Sequence, residues 1–130
     1  MIKEFEIKSS SKEQLIDITS KVASAVKESG TVQGICVVYT PHTTAGITIN
    51  ENADPAVVQD ILSGMKGLNF EKMNFTHMEG NSAAHIKSSL FGCSETIIID
   101  KGQLLLGTWQ GIYFCEFDGP RKRTILVKII

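Results

Sequence analysis

The chain has 130 residues, 42% apolar and 21% charged, with 13 basic against 14 acidic side chains and a formal net charge of -1. A chain of that size forms one domain and buries roughly two-thirds of its unfolded surface. The composition excludes a disordered or collagen-like chain, and the even charge excludes the global basic field that bulk nucleic-acid binding uses.

Phe5 and Ile7 alternate with Glu4, Glu6 and Lys8, which predicts a first strand with one wet face. The same alternation of charge with apolarity in residues 1–8 is unlike a signal peptide. Ser10 followed by Glu13 fits a capping box, and Leu15, Ile18, Val22 and Val26 recur at helical spacing, so a helix is expected from there through Glu28, stopped by Gly30. Residues 34–39 (GICVVY) read as a strand buried on both faces, and residues 46–50 (GITIN) as another. Asp54-Pro55 is a strong helix start, with Val57, Val58, Ile61, Leu62 and Met65 as the apolar face and Gly67 as the end. Residues 67–82 have no clean period, and residues 85–90 fit a short helix. Strands are expected at 96–99, 103–106, 113–117 and 124–130, with turns at Lys101-Gly102 and Asp118-Gly119-Pro120. Short turns between late strands favour antiparallel pairing and an α+β fold; no G-x-G-x-x-G or P-loop is present. Strands apolar on both faces predict two packed sheets, or a sheet face covered by another subunit. Cys36 and Cys115 lie in apolar runs and, with Cys93, make an odd set expected to be reduced. No apolar run approaches the roughly 18 residues that span a bilayer, so neither a membrane nor nucleic acid is expected as a partner, and the cytoplasm is the expected location.

Polar residues gather in four places. His42, His77 and His85, the only histidines, all lie in irregular polar stretches, with Glu79 close by. Three imidazoles can hold a divalent metal with one position open, or serve as acid–base groups; they equally suit hydrogen bonding in turns. Asn50-Glu51-Asn52-Ala53-Asp54-Pro55 follows a strand and opens a helix: Asp54 reads as its cap, and Glu51 as a carboxylate that could orient an imidazole or hold a cation. Gly107-Thr108-Trp109-Gln110-Gly111 places the only Trp, a flat face for a ring or a cation, between glycines; a strand-to-strand bend around a core Trp would look the same. Arg121-Lys122-Arg123 places two guanidiniums on one face, suited to phosphate, and Lys87-Ser88-Ser89 adds an ammonium and hydroxyls. Each of these two also reads as a solvated charge run or a capped helix.

Six strings in one order resemble the YjbQ family, UPF0047: His42-Thr43-Thr44-Ala45, Asn50 to Pro55, His77-Met78-Glu79-Gly80-Asn81, His85 to Leu90, Gly107 to Ile112, and Glu116 to Arg121. The resemblance implies an α+β fold of about seven strands in two packed, mostly antiparallel sheets with two to three helices, and a homotrimer. It also implies secondary thiamine phosphate synthase activity, which joins an aminopyrimidine diphosphate to a thiazole phosphate and releases pyrophosphate. On that reading His42, His77, His85 and Glu51 are catalytic, with the three histidines also the ligands of a divalent Zn or Mg. Asn50, Lys87, Ser88, Thr108, Trp109, Gln110, Arg121 and Arg123 would then bind the phosphorylated substrate. Two alternatives stand beside it: a metal-assisted hydrolase of a phosphorylated or acylated metabolite, and a trimer that binds a metabolite without turnover.

Overall fold

Alternation and β-branching dominate this chain, and the computed structural model, which describes residues Met1–Ile130, resolves them into eight strands, three α-helices and one short 3-10 turn. The strands are β1 (Ile2–Lys8), β2 (Gln14–Asp17), β3 (Gly34–Tyr39), β4 (Ala45–Glu51), β5 (Ser94–Asp100), β6 (Gln103–Leu104), β7 (Gln110–Glu116) and β8 (Lys122–Ile129). The helices are α1 (Thr19–Ser29), α2 (Pro55–Gly67) and α3 (Ser82–Phe91), with the 3-10 turn at Phe70–Lys72. Every pairing is antiparallel: a five-stranded sheet of order β1-β8-β3-β5-β6 and a three-stranded sheet of order β2-β7-β4. The α+β, two-sheet expectation holds. No helix is long and apolar enough to cross a membrane.

The core lies between the sheets. Ile7, Cys36, Val38, Ile97, Ile99, Ile125 and Val127 face Ala45, Ile47, Ile112 and Phe114, and Val22, Ala25 and Val26 of α1 close one side. A second cluster, Leu15, Ala84, Tyr113, Cys115 and Phe117, covers the opposite face of the small sheet under α2 and α3. Residues 111–117 are therefore buried without a break, because β7 is the central strand of a sheet covered on both sides. The three cysteines are free, and Cys36 and Cys115 are core residues as expected.

Two expectations are corrected. The helix does not begin at Ser10. Leu15 and Ile16 serve opposite faces of β2, and only Ile18, Val22 and Val26 remain for the helical stripe. Gln14, not Glu13, closes the preceding turn by accepting from the Ser10 amide at 2.9 Å, and Asp17 holds the new helix start by accepting from the Thr19 amide at 2.9 Å. The run 34–39 is also buried on one face only. Cys36 and Val38 are sealed, whereas Ile35 and Tyr39 are 43% and 39% exposed on the outer face of the large sheet. By contrast Asp54 caps α2 as read, accepting from the Ala56 amide at 2.9 Å, and Gly30 ends α1 with φ +69°.

Candidate active site

The C-terminal end of β7 and the start of β8 are joined across a turn at residues 118–120, so Glu116 and Arg123 meet in the interior. Arg123 Nε donates to both Glu116 oxygens at 3.0 and 3.1 Å, and Nη2 donates to Glu116 and to Thr44 Oγ1 (2.8 Å). Ser9 Oγ donates to the same carboxylate at 2.6 Å, and the Asp118 amide donates at 3.1 Å. Burial raises the Glu116 pKa, but these donors, led by Arg123, outweigh it and hold the carboxyl below its ordinary range. Ser9 also accepts from the Arg121 amide at 2.9 Å, which ties the end of β1 to the start of β8. The result is a rigid, charge-balanced floor.

His42 stands on this floor in the loop after β3. Its Nε2 accepts the Thr124 backbone N–H at 2.9 Å. A nitrogen that accepts keeps its lone pair, so the proton of the neutral ring is on Nδ1. Burial first, then the charges of Arg123 and Arg121, lowers the His42 pKa against the opposing pull of Glu116. His42 is thus a neutral imidazole with one N–H to offer.

The other wall comes from the segment that leads into α3. His77 and His85 lie edge to face with ring centroids 5.4 Å apart, and Glu79 Oε2 is 4.0 Å from His77 Nε2. Asn81 ties the wall to the floor: its Nδ2 donates to Asp118 (2.9 Å) and Glu79 (3.3 Å), while its Oδ1 is buried with no donor. Arg121 donates to the Asp118 carboxylate at 3.0 Å and to the Asp118 carbonyl at 2.9 Å. Together His42, His77, His85, Glu79, Asn81, Asp118, Arg121 and Arg123 line one hollow of about 370 Å³ with Pro41, Thr43 and Thr44, and no hydrophobic side chain reaches it. A second cavity of about 530 Å³, walled partly by Phe70, Met73, Phe75 and Phe117, shares His77, Glu79, Asn81 and Asp118 with it.

The structure therefore brings together His42, His77, His85, Arg121 and Arg123 and sets the other expected residues elsewhere. Lys87 is 1% exposed, and its ammonium donates to Glu13 (2.8 Å) and to Glu71, so the expectation of a phosphate-binding Lys87 is corrected: the charge is consumed inside the fold. Ser88 is likewise spent, donating to the Ala45 carbonyl at 2.6 Å. Asn50, Glu51, Thr108, Trp109 and Gln110 gather at the far end of the small sheet, where Glu51 pairs with Gln110, whereas Ala45 pairs with Glu116 beside the hollow. Seven residues of strand separate these ends by about 20 Å. Within one chain Glu51 orients no histidine of the hollow, and Glu79 and Asp118 are the carboxylates there. Trp109 is 62% exposed rather than a core residue.

A divalent metal fits this arrangement poorly. No three His, Cys, Asp or Glu side chains are disposed to hold an ion. His42 presents a protonated Nδ1 because Nε2 is committed to Thr124, so the expected trio of histidine ligands is corrected to two imidazoles near one carboxylate. Sequence reading missed Glu116, Asp118, Thr44 and Asn81. The signal was available for Glu116, a lone acid in the apolar run 112–117, facing a chain segment with its own lone arginine.

An α+β sandwich of two antiparallel sheets with a histidine- and arginine-lined hollow at one end defines a class of small domains. Comparison with known proteins identifies which one. The family model described as UPF0047 protein YjbQ-like matches residues 3–130, and the chain belongs to that family. A UPF0047 protein of Methanocaldococcus jannaschii is 60% identical over all of this chain and 94% of its own, and the UPF0047 protein YugU of Bacillus subtilis is 51% identical over 100% and 99%. A crystal structure of an uncharacterized YjbQ/UPF0047 protein from Clostridium acetobutylicum superposes with a TM-score of 0.95 at 58% identity, covering 98% of each chain. A protein of unknown function from Sulfolobus solfataricus gives 0.95 at 32% identity, covering 99% of this chain and 95% of its own.

Proposed function

We propose that the hollow binds a phosphorylated small molecule and transforms it by general acid–base chemistry. One observation carries this reading: three imidazoles from three separate segments converge with two guanidiniums on a single hollow that has no hydrophobic lining. Structural histidines have no reason to share one solvent-open space. Arg121 and Arg123 are each held by a carboxylate through Nε and Nη2, which leaves Nη1 of both without a partner in the chain. Those spare N–H groups and His42 Nδ1–H suit phosphate oxygens, and donors aimed where charge develops stabilise a leaving phosphate. His77 and His85 are the groups for proton transfer, and the buried Asn81 Oδ1 asks for an N–H or O–H of the ligand. The reaction that the resemblance suggests, joining an aminopyrimidine diphosphate to a thiazole phosphate with loss of pyrophosphate, makes such demands.

The test is purified protein with both precursors, comparing wild type with His77→Ala and His85→Ala. Loss of a proton-transfer group should cost roughly 10²–10⁴ in rate. Loss of one oxyanion contact, as in Arg121→Ala, should raise the barrier by about 2–4 kcal/mol. Equal rates in all variants would discard these roles. Tight pyrophosphate binding without turnover would favour the metabolite-binding alternative.

Self-association belongs to the same reading. The outer face of the five-stranded sheet carries Ile35 directly opposite Ile98 (58% exposed), with Val37, Tyr39 and Leu126 beside them and Leu105 bonded to the same strand. Such an uncovered apolar face suits the homotrimer that the resemblance implies. Mass in solution checks it: three times 14.2 kDa is expected, falling in Ile98→Lys.

A further inference from the structure

We propose that the active site is completed between chains: the Trp109 loop of one copy seats on the rim of another copy's hollow. This rests on the hollow being the functional site and goes beyond it in naming what closes it. The loop is built to present its side chain. The Gly107 amide donates to Gln110 Oε1 at 2.8 Å, the Gln110 amide donates to the Gly107 carbonyl at 3.0 Å, and the Asn52 amide donates to the Trp109 carbonyl at 2.9 Å. Gly111 packs so closely on the Asn52 side chain that a Cβ there would collide with it. Trp109 nevertheless packs on nothing that hides it, at 62% exposure. A large aromatic on a pinned loop loses little entropy when it is covered, which is what a buried interface anchor requires.

Charge identifies the occupant. Around the loop lie Asp17, Glu51 and Asp54, and residues 48–56 and 107–111 contain no Lys or Arg. At the opposite end, beside the hollow, Lys8 and Lys122 are exposed and directly opposite each other across β1 and β8, with no carboxylate partner, and Arg121 follows in the chain. Like charges in register destabilise a sheet unless something anionic lies over them. One end of the molecule thus offers acids around an aromatic anchor and the other end unneutralised bases around an open polar site. The apolar outer face connects the two, running from Tyr39 and Thr124 at the hollow to Ile98 and Leu105 just before the loop. A second copy lying along that face would bring acid to base.

The experiment is disulfide trapping in a Cys93→Ser background, which removes the exposed native thiol. Chains carrying Thr43→Cys, on the hollow rim, are mixed with chains carrying Thr108→Cys under mild oxidation. The expected product is a mixed disulfide between the two chain types, formed far faster than either like-with-like product. No mixed product, with both thiols free to react with a small reagent, overturns the proposal. In parallel, Trp109→Ala and Glu51→Gln should each weaken pyrophosphate binding at the hollow at least fivefold; unchanged affinity and unchanged mass in both also overturns it. Mixed disulfides formed by a protein that binds no pyrophosphate would support shared assembly while removing the functional reading of the hollow.

Discussion

The two walls of the hollow are built in opposite ways. On the floor, Glu116 and Arg123 are sealed in the sandwich with almost every polar atom satisfied from β1, β4 and β8. The facing wall is carried by residues 71–80, ten consecutive exposed residues that include Met73, Phe75 and Met78, the last 99% exposed. That stretch has one deep anchor, the Glu71–Lys87 ion pair, while Asn81 fastens its end. Half the site is therefore as stable as the fold, and half sits at the low-stability end of the molecule, where loops that admit ligands are drawn from.

Breaking the floor should have the largest effect. Arg123→Met keeps much of the volume but strands Glu116 without its cation, and a buried charge that loses its partner costs about 3–5 kcal/mol. Urea unfolding should show that loss as a lower midpoint with an unchanged slope. The double variant Glu116→Leu with Arg123→Met should recover most of it, because neither charge then needs solvation. A single variant as stable as wild type would mean that the floor is not the rigid half.

Lys87→Met sharpens the contrast from the other side. It removes the only buried contact of Glu71 and leaves two carboxylates, Glu13 and Glu71, that reach water on their own. Global stability should fall by about 1–2 kcal/mol, the scale of hydrogen bonds to charged groups. Amide exchange across residues 71–80 should accelerate at least tenfold, with the β7 and β8 amides slowed or sped only by the global change. Burial lowers the Lys87 pKa, but the bonds from Glu13 and Glu71 reverse it and leave the ammonium raised above 10.5. This contribution is therefore complete below 10.5 and is lost only as pH climbs through the raised value.

The same division explains what could be read from the sequence. The rigid parts declare themselves locally: the alternation of residues 122–129, the Asp54-Pro55 helix start and the Lys101-Gly102 turn, with φ +52° and +76°, are properties of adjacent residues. Convergence of His42, His77 and His85 was visible only through the resemblance, because contacts across 35 and more residues leave no periodic trace. Residues 14–17 deceived because helical spacing and strand alternation overlap over so short a stretch, and tertiary pairing with β7 decided between them. Lys87 deceived for a different reason. A lysine beside two serines reads as a phosphate site, and nothing local reveals that Glu13 and Glu71 come from distant segments to neutralise it.

The smallest expected effect isolates a single hydrogen bond at the junction of the two walls. His42 takes up a proton less readily in the folded protein than in the unfolded chain, whose value is 6.5, because burial and the neighbouring guanidiniums oppose it and because protonation would forfeit the Thr124 N–H bond. As pH falls below 6.5 the unfolded chain binds this proton first, so stability declines until the folded ring also titrates, and is level below that. Glu116 behaves differently: its lowered pKa stabilises the fold above 4.5, and that term disappears only as pH drops through the depressed value. Acid unfolding should thus show two separate declines. His42→Gln can still accept from Thr124 through its amide oxygen but cannot titrate, so the upper decline should vanish while the lower one remains, at a cost of about 1 kcal/mol or less near neutral pH. Persistence of the upper decline in His42→Gln would place its origin in another group and leave the tautomer of His42, and with it the single N–H it offers to the hollow, without support.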